Sequence, residues 1–414
     1  MRRHASVFLF SLSALLCWGA PPLRAAGGGD ATVMIQGFHW TSWKTAPWWN
    51  EIGRRSGELS RAGIGLVWLP PPSDSLSNEG YMPRRLELLD SSYGSSAQLA
   101  AAVRSLHGAG LRVIADVVLN HRVGVKDWAD FSAPAWGPDS VCSDDEWGKG
   151  KGAADTGKGF HAARDIDHTK TYVRDSVKAW LASLRDTAGF DGWRYDYARG
   201  FAPRYMLEYN RASGAAFSVA EIWDDFDIAN TDAHRQASCD WMDAVNGEIK
   251  VFDFTTKGIL QQAVMSGEYW RLADKDNRPA GLLGWWPANA VTFIDNHDTG
   301  PSPSGSIQGR SWPFPSDRVM AGYAYILTHP GIPCVYWPHF FDWGLKDKIT
   351  ALVRIRRAAG IDSASPVSIV RAEQGLYAAF VGGRAAVKLG DRAWNPGPGW
   401  ASAAEGPGYQ VWTR

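Results

Sequence analysis

Two periods alternate along most of this chain. Continuous apolar runs occur at 33–38, 65–69, 111–119, 190–195, 217–222, 249–254, 290–294 and 332–336. Runs of this length without polar alternation suit strands buried on both faces of a parallel sheet. The stretches between them carry helical stripes. Leu99, Val103 and Leu106 form one, with Ser95 and Gln98 as a capping box at its start; Val173, Val177, Trp180, Leu181 and Leu184 form another, and Val319, Tyr323 and Ile326 a third. Eight strand–helix units over about 320 residues predict an α/β fold closed as a (β/α)8 TIM barrel, built from 30–120 and 166–354. A doubly wound open sheet is the rival, but no Gly-rich phosphate loop follows the first run.

Two segments break the rhythm. Residues 121–165 hold Gly, Asp, Lys, Ser and Trp with no helical period, which predicts a small excursion domain or lid after the third strand. From 355 to 414 the runs 367–370, 376–381, 385–389 and 409–412 alternate between Gly and Pro turns, which predicts a C-terminal antiparallel β domain. Residues 1–26 read as a signal peptide: Arg2 and Arg3 open it, and its apolar run is too short to span a bilayer. The mature protein is therefore expected to be secreted and soluble. Three of the four cysteines lie beyond that leader, too few for a disulfide framework.

Charge and composition narrow the chemistry. Lys+Arg and Asp+Glu are both 43, so no net field favours nucleic acid or an anionic membrane. The 22 tryptophans offer flat apolar faces with one donor each, a shape matched to sugar rings. Sugar binding by a monomer is the expectation.

The barrel reading then selects the residues that matter, because active sites of such barrels sit at the carboxyl ends of the strands. Those ends carry Trp40, Tyr81 with Met82 in the second loop, Asn120 and His121, Arg194 and Asp196, Glu221 with Trp223 beyond it, and His297 and Asp298. Arg194 and Asp196 are two apart on a strand, so both point to one face. A guanidinium beside Asp196 would keep it ionised as a nucleophile, whereas Glu221, flanked by Ala220 and Ile222, suits a raised pKa and proton donation. Asp298 would stabilise the transition state or grip hydroxyls, His121 and His297 would donate to hydroxyls, Trp40 and Tyr81 would stack on sugar rings, and Met82, Arg194 and Trp223 are further expected substrate contacts. Three carboxylates without a nucleophilic Ser or Cys fit glycoside hydrolysis.

The segments Asp116-Val117-Val118-Leu119-Asn120-His121, Gly192-Trp193-Arg194-Tyr195-Asp196, Ala220-Glu221-Ile222-Trp223 and Phe293-Ile294-Asp295-Asn296-His297-Asp298 resemble the four conserved blocks of the alpha-amylases of glycoside hydrolase family 13. Gly284-Trp285-Trp286-Pro287 and His339-Phe340-Phe341-Asp342-Trp343-Gly344 resemble the cereal-seed group more closely, and the leader suggests a bacterial member. The resemblance implies endo-hydrolysis of alpha-1,4-glucosidic bonds in starch and maltodextrins with retention, Asp196 as nucleophile, Glu221 as acid/base and Asp298 as stabiliser. An exo-acting maltooligosaccharide-forming enzyme, a transglycosylase and a non-catalytic starch-binding protein remain alternatives.

The same resemblance implies calcium (Ca2+) between barrel and excursion. The implied ligands are Asn120, Asp155 and Asp165, with carbonyls of Lys158 and Gly200. Asp145, with carbonyls of Phe160 and Ala163, would hold a second ion beside Asp165. Gly159 stands where the plant-like pattern has another aspartate. Arg199 replaces a lysine on the leaving-group side and is an expected substrate contact. Trp285 and Trp286 resemble a surface platform for starch, and Tyr377 a second surface sugar contact.

Overall fold

The computed structural model describes residues 29–303 and 312–414; the expected signal peptide lies outside them. Eight parallel strands close a barrel: β1 (Met34–Gln36), β2 (Leu66–Leu69), β3 (Arg112–Val117), β4 (Gly192–Tyr195), β5 (Phe217–Ala220), β6 (Lys250–Phe252), β7 (Ala290–Thr292) and β8 (Ile332–Tyr336), with β1 paired to both β2 and β8. Each lies within an apolar run read from the sequence. All four residues of β2, Leu-Val-Trp-Leu, are buried, because one face fills the barrel and the other lies under the helices.

The outer layer comprises α1 (Trp48–Arg61), α2 (Ser96–Gly108), α3 (Thr171–Ser183), α4 (Pro203–Ser213), α5 (Thr231–Ala244), α6 (Phe254–Ser266), α7 (Val319–Thr328) and α8 (Lys346–Ala358). The capping box on α2 is formed: Ser95 accepts from the Gln98 amide, and the Gln98 side chain accepts from the Ser95 amide. Two strand registers matter for the site. Asp116 on β3 lies directly opposite Arg194 on β4, and Arg194 opposite Val219 on β5, so three strand ends converge beside one guanidinium.

The excursion leaves β3 and returns through a two-stranded neck in which His121 pairs with Asp165 and Arg122 with Arg164. Behind the barrel, β9 (Val367–Glu373), β10 (Leu376–Val381), β11 (Ala385–Leu389), β12 (Ala401–Gly406) and β13 (Tyr409–Thr413) form an antiparallel sheet in the order β9-β10-β11-β13-β12. The expected domain start at 355 falls inside α8, which belongs to the barrel and runs to Ala358. Strand β12 carries no apolar signal, since Ala-Ser-Ala-Ala-Glu-Gly is a largely exposed edge.

Candidate active site

The site is organised around Arg194, whose side chain is 1% exposed. Its Nη1 donates to Asp196 Oδ1 at 2.6 Å and to Asp116 Oδ1 at 2.9 Å, and Nη2 lies 3.1 Å from Glu221 Oε1. Asp116 is fully buried and also accepts from Tyr81 Oη at 2.8 Å and Trp68 Nε1 at 3.1 Å. The sequence reading gave the guanidinium to Asp196 alone and counted Arg194 among the substrate contacts. In the fold it is shared by three carboxyls and is not among the residues that line the cleft. Asp116 was missed because only the β3–β4 register brings it alongside.

One cation among several buried carboxyls sets the protonation pattern. Burial raises Asp196, and the Arg194 charge and hydrogen bond oppose the rise. Burial also raises Glu221; Arg194 opposes this, while the charge of Asp196 adds to it. The Glu221 carboxyl further accepts from the Tyr197 amide at 3.0 Å. Asp298 is pushed well above the usual carboxylate range by burial and then by Glu221. Its side chain is 25% exposed, so water in the cleft moderates that rise. Asp116 is pushed up to about 7 by burial. Asp196 has the shortest contact to the guanidinium, and Glu221 carries the added upward push of the Asp196 charge, so their environments push the two carboxyls apart.

These groups open into a cleft of about 460 Å³ lined by Trp40, Tyr81, His121, Asp196, Arg199, Glu221, Trp223, His297 and Asp298. Gly159, Phe160, His161, Ala162 and Tyr197 complete the wall; none is expected there from the sequence, since the first four reach the cleft only because the excursion folds back over the barrel, and Tyr197 sits on the loop just after Asp196. Trp40, Tyr81 and His297 are nearly parallel, with centroids 5.1 to 6.0 Å apart. Met82 does not line the cleft; its amide donates to Ser75 Oγ. Trp223 stacks on Phe254 at 5.1 Å, which fixes its ring at the edge.

The two histidines differ from expectation in what they donate to. Burial holds His121 neutral, down at about 4, and its Nε2 hydrogen bonds the Tyr81 carbonyl at 2.9 Å. Its single N–H is therefore engaged by the protein, with the ring stacked on Phe160 at 3.9 Å. His297 is held well below its usual range by burial and by Arg194. Gln36 Nε2 sits 2.9 Å from its Nδ1, and its Nε2 lies 3.2 Å from Asp298 Oδ2.

Against known proteins, the alpha amylase catalytic domain matches residues 58–148, and the alpha-amylase C-terminal beta-sheet domain matches residues 358–413. Probable alpha-amylase 2 of Arabidopsis thaliana is 44% identical over 399 residues, covering 92% of this chain and 94% of that protein. This chain belongs to the alpha-amylase family. It is a glycoside hydrolase. Alpha-amylase 3, chloroplastic, of the same plant is 41% identical over 94% of this chain, which spans 45% of that longer protein. The solved alpha-amylase of Malbranchea cinnamomea superposes with a TM-score of 0.65 at 20% identity, covering 93% of this chain and 95% of that one, a likeness of fold.

Beside the cleft of this amylase-family chain lies an oxygen-rich lobe. Asp155 Oδ2 is buried without a hydrogen-bond partner, while its Oδ1 accepts from the amides of Thr156 and Gly157. Asp165 accepts from Asn120 Nδ2 at 2.9 Å and from the Phe160 amide at 3.0 Å. Burial pushes it up to about 7, with the charges of Asp155, Glu146 and Asp145 adding to the rise. Asn120 Oδ1 lies against Gly200, where an added Cβ would meet it at 1.9 Å. Carboxylate oxygens of Asp145, Glu146 and Asp165 all lie within 4.8 Å of one another. An orphaned carboxylate oxygen among hard oxygen donors fits a divalent cation. Glu146 was missed by the sequence reading. Ala163 is buried in this lobe, while the Lys158 amide donates to the Arg199 carbonyl at 3.0 Å.

The expected surface contacts separate. Tyr377 is 0% exposed, and its hydroxyl hydrogen bonds His329 Nε2 at 2.8 Å beneath the C-terminal sheet. It is not a surface sugar contact: strand alternation turns it toward the barrel, a direction its sequence neighbours do not reveal. Trp285 and Trp286 are half-buried, with the Arg235 guanidinium 3.5 Å from the Trp285 ring centroid. Cys142, Cys239 and Cys334 are free and buried. Among the described residues no helix is long and apolar enough to cross a membrane.

Proposed function

We propose that this protein is an endo-acting alpha-amylase that hydrolyses alpha-1,4-glucosidic bonds of starch and maltodextrins with retention of configuration. The observation that carries the reading is the single Arg194 guanidinium joined to both Asp196 and Glu221. Held by one guanidinium, the two carboxyls face the same cleft, an arrangement that suits a nucleophile and a proton donor acting on one glycosidic bond. Asp196 attacks the anomeric carbon, and the protonated Glu221 gives its proton to the leaving oxygen and later takes one from water. Asp298 faces the developing positive charge. Trp40, Tyr81 and His297 form the wall on which the attacked sugar rests, and Arg199 and Trp223 lie beyond the acid. Asn120, Asp155, Asp165 and the Gly200 backbone would hold a calcium ion that ties the excursion to β3 and the β4 loop, with Asp145 and Glu146 as added ligands at Asp165. The charged, apolar leader supports export, and the reading is of a monomer.

The test is hydrolysis of soluble starch by the purified protein beside Glu221→Ala. Wild-type turnover, and a loss of about 10²–10⁴-fold in the variant, are expected. The anomeric proton signals of the first product report retention or inversion, and loss of iodine colour against reducing ends separates endo from exo cutting. An inactive wild type would leave only a starch-binding role, and inverted product would reject Asp196 as nucleophile.

A further inference from the structure

Asp224, three residues beyond Glu221, is absorbed by none of the roles above. Its Oδ1 accepts from Arg199 Nη1 at 2.9 Å and is also the partner of the Lys158 ammonium. Those two cations come from different places: Arg199 from the loop after β4, Lys158 from the excursion. Asp224 stands on the loop after β5, so one carboxylate ties three separate segments together. The backbones of the first two already touch. The Lys158 amide donates to the Arg199 carbonyl, Tyr197 Oη donates to the Gly159 carbonyl at 2.9 Å, and the Ala202 amide donates to Thr156 Oγ1 at 3.0 Å. Gly157 packs so closely on Gly200 that an added Cβ would meet its carbonyl carbon at 2.4 Å. Apart from Asp224, the β4 loop meets Glu221 itself through two backbone amides, that of Tyr197 on its carboxylate and that of Ala198 on its carbonyl at 3.1 Å, and neither of these holds the Arg199 side chain or the excursion.

The position gives the clamp a chemical consequence. The proton donor stands beside the leaving oxygen, so the sugar on its far side, away from the Trp40–Tyr81–His297 wall, is the leaving group. Arg199, Tyr197, Gly159 and Phe160 all line the cleft, and Asp224 joins Arg199 to the loop that carries the proton donor. Arg199 is 20% exposed, Asp224 31% and Lys158 59%, so the clamp sits at the mouth rather than in the core. Resting on the catalytic reading above, we infer that Asp224 is a positioning residue that sets the leaving-group side of the cleft by holding Arg199 and the excursion wall at one fixed spacing from Glu221. It touches no substrate in this role and acts through Arg199 and Lys158. Arginine suits the arrangement because its planar fork can bind Asp224 with one nitrogen and still present another edge to the cleft.

Asp224→Asn, Asp224→Glu and the wild type are compared on two substrates: maltoheptaose, which leaves as a sugar, and an aryl maltotrioside, whose phenol leaves without sugar contacts. The inference predicts that in Asp224→Asn the ratio of kcat/KM for maltoheptaose over the aryl substrate falls about 5-fold, mostly through KM, and that Asp224→Glu restores much of it. An equal loss on both substrates, or no change on either, overturns it. Hydrogen exchange at the Lys158 amide supplies a reading that does not depend on turnover, since release of the clamp should speed exchange about 5-fold or more in Asp224→Asn. An inactive wild type would reject the catalytic reading alone, and unchanged exchange would then still reject the clamp.

Discussion

Replacing Arg194 by lysine keeps the positive charge and removes the fork. The guanidinium serves Asp196, Asp116 and Glu221 from two nitrogens, whereas an ammonium on a shorter reach serves one of them well. Two charge-assisted hydrogen bonds are then lost, each worth about 1.5–2 kcal/mol where the partner stays buried. If most of that loss falls on the transition state, the rate drops by about 10²–10³. The effect should appear in kcat with little change in KM, because Arg194 lies behind the carboxyls and does not line the cleft. The pH profile supplies an independent sign. Arg194 opposes the rise that burial imposes on Asp196, so weakening it lets the Asp196 pKa climb. A nucleophile works only when ionised, so the acid limb of the profile moves to higher pH. The assay is initial rates on soluble starch from pH 4 to 9, with circular dichroism to verify the fold. A variant within tenfold of wild type, with an unmoved acid limb, would refute the assignment of Arg194 as the group that holds Asp196 ionised.

Three further outcomes follow from particular contacts. A chelator should lower the melting temperature by several degrees and excess calcium should restore it; an unchanged melting curve would count against the cation at Asn120, Asp155 and Asp165. Trp286→Ala should weaken adsorption to starch granules while leaving turnover of soluble substrate near wild type, and unchanged adsorption would remove the platform. Tyr377→Phe should leave adsorption untouched and cost about 1 kcal/mol of stability in chemical unfolding, because it deletes one buried hydrogen bond to His329; weaker adsorption instead would reverse its assignment to the interior.

What the linear chain determined by itself was the alternation of elements and the types of residue at their ends. Parallel strands buried on both faces leave continuous apolar runs, and the barrel rule places chemistry at one end of each, so Asp196, Glu221, Asp298, Tyr81 and His297 could be picked out before any coordinates. Tertiary structure decided who shares a charge with whom. The β3–β4 register, invisible in spacing, sets Asp116 against Arg194 and turns an expected pair into a cation divided among three carboxyls. Strand alternation in the C-terminal sheet sent Tyr377 inward, and the return of the excursion built a cleft wall from Gly159 to Ala162 and brought Lys158 to Asp224. These are contacts between segments tens of residues apart, and local periodicity carries no record of them: hydrogen bonds and charge–charge energies depend on distances that only the closed barrel and its folded-back loop create.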